Sequence, residues 1–289
     1  MERISALASL VVMIGVLLAC KGTESTTTTV SSASAVVAPP KLEEVAFVKA
    51  IPKPGTKIDS SLKTAFKFTL AGKMYRNEEE TVTTTEVQSS DAFRVTKAAI
   101  DVKTLVATNQ EGTDAEKRSV NPLAGSRYIV SRSDDGKLSA LDASGSPVAA
   151  PLLAQIKDHF GDVVDKDKSR DFIPSRPVKL GEKLIPAGDV VLKLLGSKDD
   201  GSTTIDGVEF ILDKASTNEK AVFDVSMTFT TKLPAQMRLR AKLDGTIDIR
   251  PKETEVTAVS LKGPLTILDA SGTEKGSGDM SFTGTESSK

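Results

Sequence analysis

The chain has 289 residues, a formal net charge of -1 and one cysteine. Near-neutral charge excludes a global field that would draw it to nucleic acid or acidic lipid, and the lone cysteine excludes an internal disulfide. With no tryptophan and only two tyrosines, a sugar-stacking surface is disfavoured, and the length allows one large domain or two small ones.

The chain opens with Arg3 and an apolar run from Ile4 to Ala19, broken only by small residues such as Ser5, Ser9 and Gly15. A basic start, an apolar core and a small residue before a cut are the layout of a secretory signal. The run is slightly short for a spanning helix, which needs about 20 apolar residues. Leu17-Leu18-Ala19-Cys20 resembles the lipobox of bacterial lipoproteins. Leu17, Ala19 and Cys20 match that pattern, whereas Leu18 stands where alanine or serine is commoner. The resemblance implies that residues 1–19 are a signal peptide removed before Cys20. It implies that the Cys20 thiol carries diacylglycerol and its amine a further acyl chain such as palmitate. The membrane would then be a partner, reached through Cys20. By the enteric sorting rule Lys21, which is not an aspartate, points to the outer membrane of the cell envelope rather than the inner one.

Residues 20–57 read as the lipidated cysteine and a tether. Lys21 to Pro40 is rich in Ser, Thr, Ala and Pro and lacks an amphipathic period, so it buries too little to offset its ordering entropy. Lys41 to Ala50 could form a short helix or strand, and Pro52, Pro54 and Gly55 break the chain.

From Ile58 the period becomes two. Leu62, Thr64, Phe66, Phe68 and Leu70 alternate with Lys63, Ala65, Lys67 and Thr69, which predicts a strand with one buried and one wet face. Thr81 to Gln88 has strand preference, and Ala92 to Thr108 holds one long strand or two short ones. Arg127 to Ser131 and Lys137 to Leu141 flank the turn residues Asp134-Asp135-Gly136. Pro151 to Phe160 places Leu152, Ile156 and Phe160 on one face of a helix, with Gly161 to stop it. Beyond it Phe223 to Phe229 alternates, as does Met237 to Leu243. Ile247 and Ile249 follow Asp244-Gly245, read as a turn. Val259 and Leu261, then Leu265 and Ile267, flank Gly263-Pro264, read as a break. Met280 and Phe282 mark a last strand. The pattern predicts a mainly β domain over residues 58–289: a large antiparallel curled sheet, barrel or half-barrel, with one interior helix near 151–160.

Leu141-Asp142-Ala143-Ser144-Gly145 recurs as Leu268-Asp269-Ala270-Ser271-Gly272. Shared turn chemistry explains it, with Asp for local hydrogen bonds and Gly for positive φ. So does duplication of a β-meander, with halves 58–150 and 179–289. The Arg176 to Lys183 stretch is loosely similar to segments of β-rich envelope lipoproteins of duplicated-meander type, a resemblance that names no activity.

Chemical motifs are sparse. His159, the one histidine, lies near Asp158 and Asp162 but reads as a boundary residue. Ser60-Ser61-Leu62-Lys63 matches S-x-x-K, yet a strand sends Ser60 and Lys63 to opposite faces, and the partner motifs are missing. Asp165, Asp167, Ser169 and Asp171 alternate as calcium ligands do, but Arg170 and Arg176 stand where an EF-hand needs Gly and Glu. Arg238, Arg240 and Lys242 make a basic stripe without interleaved aromatics, a solvated face rather than a nucleic-acid site. No catalytic residue, metal ligand or cofactor is assigned. The expected function is a non-enzymatic, membrane-anchored envelope lipoprotein that binds an amphiphilic, lipid-like ligand or a partner protein, with Phe66, Phe68, Phe223 and Phe229 as candidate lining. A structural subunit with a filled core, and a hydrolase assembled only in three dimensions, are the alternatives.

Overall fold

The computed structural model describes residues 44–48, 50–164, 169–194, 201–216 and 220–289. Most of them form antiparallel strands. In chain order these are β1 (Glu44–Val45), β2 (Lys57–Leu70), β3 (Lys73–Ser90), β4 (Val95–Glu111), β5 (Lys117–Val120), β6 (Ser126–Arg132) and β7 (Leu138–Asp142). The helix α1 (Ala150–Phe160) follows, then β8 (Val178–Lys179), β9 (Lys183–Leu184) and the short helix α2 (Gly188–Leu194). The chain closes with β10 (Thr203–Ser216), β11 (Lys220–Lys232), β12 (Arg238–Arg250), β13 (Glu255–Leu268) and β14 (Glu274–Ser288).

Twelve of these strands make one sheet in the order β7-β6-β4-β3-β2-β14-β13-β12-β11-β10-β9, with β5 added beside β4. The expected large antiparallel sheet is therefore present. Among the described residues its pairing is open, ending at β7 and β9, and no hydrogen-bonded ladder closes it into a barrel. The edges are short: β9 has 2 residues and β7 has 5, a length that offers little template to another chain. Each hairpin pairs with its sequence neighbour, and the two ends of the strand series meet in the middle. There β14 runs against β2 from Gly276↔Leu70 to Ser288↔Ile58. The β2–β3 turn uses Ala71 (φ 50) and Gly72 (φ 76), the two positive φ values that a tight hairpin twisted to match its strands requires.

Period-two patterning sorts the side chains. On β11, Phe223, Val225, Met227 and Phe229 are buried, while Asp224 between them is exposed. Each such side chain contributes roughly 1.5–3 kcal/mol by leaving water. The inner face of the sheet gathers two apolar clusters among the described residues. One joins Phe66 and Phe68 of β2 to Phe210, Phe223, Phe229, Leu243, Leu261 and Met280, covered by Val45, Phe172, Ile173, Val178 and Val191. The other joins Ile58, Ile100, Val102, Tyr128 and Val130, covered by Ile156 and Phe160 of α1 and by Val164. Arg132 ties α1 to the sheet: its guanidinium donates to the carbonyls of Gly161 (3.1 Å) and Val164 (3.2 Å) just past the helix.

The outer face carries charge. Lys63 pairs with Glu78 at 2.9 Å, and Arg127 with Asp101 at 2.9 Å and Glu86 at 3.0 Å. Such exposed pairs contribute about 0–1 kcal/mol each.

Two predicted breaks are absent. Asp244-Gly245 lies inside β12 and Gly263-Pro264 inside β13. A Cβ on Gly245 would stand 1.9 Å from the Ser260 carbonyl oxygen, and one on Gly263 would stand 1.9 Å from that of Lys242. Glycine at these positions serves the close approach of two strands rather than a turn. The helix expected at 151–160 is present, whereas α2 and β10 have no counterpart among the sequence expectations.

Candidate functional site

The inner face changes character on β3. Its odd-numbered residues turn inward, and Tyr75, Asn77, Glu79, Thr81, Thr83 and Thr85 form a polar row between the apolar clusters. The register sets their neighbours. Asn77 lies between Phe66 on β2 and Asn109 on β4; Glu79 lies between Thr64 and Ala107; Thr81 lies between Leu62 and Leu105. The row is not a solvated edge: Asn77 is 3% exposed, Thr83 1% and Thr85 4%.

Asn77 donates from Nδ2 to Asn109 Oδ1 at 2.6 Å. Asn77 Oδ1 and Glu79 Oε1 are both buried, and neither meets a hydrogen-bond partner among the described residues. An acceptor left in that state costs about 1–3 kcal/mol, so a patch of this kind in a sheet otherwise filled with Phe, Leu and Val needs a reason. Glu79 also has no cation paired to it among the described residues, and burial pushes its carboxyl up to about 7 from an ordinary value of 4.5. Desolvation alone disfavours the charged form.

One end of the row has an aromatic wall. Phe66 stacks on Phe68 with ring centroids 5.9 Å apart, and Phe68 on Tyr75 at 5.1 Å. At the rim the Tyr75 hydroxyl donates to Glu111 Oε1 at 3.3 Å, an oxygen that Lys73 Nζ also holds at 3.3 Å. Burial first, then the charge of Glu111, raise the Tyr75 pKa. Glu79, Thr81, Ala107 and Asn109 are only partly covered, so the row meets solvent beside β4. A raised-pKa carboxyl, an amide pair and hydroxyls against an aromatic wall suit recognition of a molecule that is apolar at one end and polar at the other.

The residues singled out from sequence fall elsewhere. Leu17, Leu18, Ala19 and Cys20, with residues 1–19 and the first part of the tether, lie outside the described residues, as do Asp165 and Asp167. Ser169 and Asp171 sit in a short 3-10 turn, Ser169–Phe172. His159 lies on α1, its ring 5.9 Å from that of Phe160. Ser60 and Lys63 occupy opposite faces of β2, Ser60 opposite Thr83 and Lys63 paired with Glu78. The basic stripe Arg238, Arg240 and Lys242 is exposed on the outer face of an interior strand, so it protects no sheet edge. Of the four phenylalanines, Phe66 and Phe68 border the polar row. Phe223 is instead covered by Phe47 at 5.8 Å and Phe172 at 6.3 Å.

Asn77 and Glu79 were missed because the strand was read from Thr81 onward. The signal was there: Tyr75, Asn77 and Glu79 share the parity of Thr81, Thr83 and Thr85. The run Arg76-Asn77-Glu78-Glu79-Glu80 resembles a solvated segment until the period is extended backwards.

No family model and no curated protein matches the chain. Among the solved structures that resemble its backbone are two with different coverage. One, of lipid–protein interactions in lipovitellin, is 10% identical with a TM-score of 0.40, covering 82% of this chain and 25% of that one. The chain thus spans a quarter of the length of that lipovitellin chain. The other, DynF from the dynemicin biosynthesis pathway of Micromonospora chersina, is 10% identical with a TM-score of 0.24 and covers 93% of each chain. Likenesses at this level carry no argument about function.

Proposed function

We propose that this protein is a non-enzymatic lipoprotein of the cell envelope, anchored through acylated Cys20, that binds an amphiphile against the inner face of its sheet. The observation that carries the binding half is the buried polar row of β3, with acceptors at Asn77 and Glu79, set beside the Phe66–Phe68–Tyr75 wall. Apolar surface takes an acyl or alkyl chain, and the few convergent polar groups fix its head. The anchoring half rests on Leu17-Leu18-Ala19-Cys20. Two or more acyl chains, each adding about 0.8 kcal/mol per buried CH₂, hold such a chain stably on a bilayer.

The test uses the full chain expressed in a Gram-negative envelope. Metabolic labelling with palmitate is expected to mark the wild type and not Cys20→Ser, which accumulates as unprocessed precursor. Native mass spectrometry of the extracted protein is expected to show a bound small amphiphile. Label on Cys20→Ser would overturn the anchor. Ligand-free protein at full occupancy of the folded state would overturn the binding and leave a structural subunit.

A further inference from the structure

Two buried acceptors two residues apart on the inner face of β3 define what a ligand must bring. Asn77 Oδ1 can be satisfied only by a hydrogen-bond donor, as can Glu79 Oε1 when the carboxyl is ionised, and none stands beside them among the described residues. An anionic or purely accepting head would add to the mismatch. On β3 and β4 the rim cation Lys73 is held by Glu111, and by register Lys117 of β5 stands opposite Asn109 rather than Glu79. Leu62, Phe66 and Phe68 are buried beside the row, and the partly exposed Tyr75 ring packed against them offers apolar contact to an alkyl chain and its face to a cation.

Building on the amphiphile reading above, we infer that the patch selects a single-chain amphiphile with a primary ammonium head, its N–H groups donating to Asn77 Oδ1 and Glu79 Oε1. A primary ammonium has three donors and one charge. It satisfies both acceptors and supplies the counter-charge that the Glu79 carboxylate lacks. A quaternary ammonium brings the charge without donors, and a carboxylate brings neither.

The experiment compares three probes of equal chain length, dodecylammonium, dodecyltrimethylammonium and dodecanoate. Isothermal titration is run below their micelle concentrations, on full chain synthesised without membranes. Dodecylammonium is expected to bind at least tenfold more tightly than either of the others, about 1.4 kcal/mol. Glu79→Gln is expected to weaken dodecylammonium most and to bring it within about twofold of the trimethyl probe, which loses only the charge attraction. Glu79→Leu tests the same loss in a chain relieved of a buried carboxyl, so its melting temperature is not lowered and misfolding cannot mimic the result. Equal binding of all three probes, or discrimination that survives in both variants, overturns the head-group inference while the amphiphile site stands. No binding of any probe overturns both and leaves the patch as a place for ordered water.

Discussion

At the scale of single residues, two carboxylates respond to pH in opposite directions. Glu79 is raised by burial from 4.5 to about 7, so the folded state holds its proton more tightly than the unfolded chain does. Its contribution is fully present below the ordinary value and is lost as pH rises through about 7, a loss of roughly 3 kcal/mol. Melting temperature measured from pH 4 to 8 should therefore fall in wild type relative to Glu79→Gln. Parallel curves would mean that Glu79 titrates as an exposed carboxyl. Asp59 goes the other way: the Thr84 hydroxyl, with Lys289 and Lys103, lowers it to about 2 from 3.8. Its contribution is present above 3.8 and lost as pH falls through about 2. Much of this was illegible in the sequence, because a carboxylate's neighbours across strands depend on register. Local chemistry was legible. Asp142 and Asp269 each accept from the backbone N–H two residues on at 2.9 Å and four residues on at 3.0 Å. The repeated five residues thus build the same turn twice, once after the edge strand β7 and once between β13 and β14. These places are not equivalent in the sheet, which favours turn chemistry as the source of the echo. Asp269→Ala should cost about 1–2 kcal/mol, measured by urea unfolding.

Elements obey their periodicity where both faces are distinct, and mislead where glycine has a second use. The strands from 58 and from 223 and the helix near 151 were readable, since alternation or a four-residue stripe leaves few other structures. Gly245 and Gly263 resemble punctuation, yet Gly245 pairs with Leu261 on β13 and Gly263 with Met280 on β14. Their lack of a Cβ matters because a neighbouring carbonyl already occupies its place. Gly245→Ala should destabilise by about 3 kcal/mol or more through overpacking and shifted backbone. Gly207, around which a Cβ would meet nothing within 4 Å, should accept alanine within about 1 kcal/mol. Chemical denaturation of the pair checks this, and equal effects would show that the strands separate enough to admit a methyl. The helix α2 escaped notice because 7 residues are too few to display a stripe.

For the whole molecule, composition and strand count made the mainly β, antiparallel class legible. The strand order was not, because nothing in a linear pattern says which ends will meet. The central β2–β14 ladder joins residues as far apart as Lys63 and Thr283, 220 positions along the chain. Contacts at that separation are formed late, after the entropy of closing a long loop has been overcome. β14 also contributes Met280 and Phe282 to the larger apolar cluster. Deleting residues 274–289 should therefore abolish cooperative unfolding, seen as loss of the thermal transition. A truncated chain that melts sharply would mean that the flanking meanders fold alone.

This placement of β14 acts as a timer. Every other strand of the sheet emerges earlier, whether from a ribosome or through a narrow pore, and until β14 follows, β2 and β13 keep unpaired borders. A polypeptide delivered amino end first stays pliable for threading through most of its passage, and locks only when its final ribbon slides in between the two waiting edges.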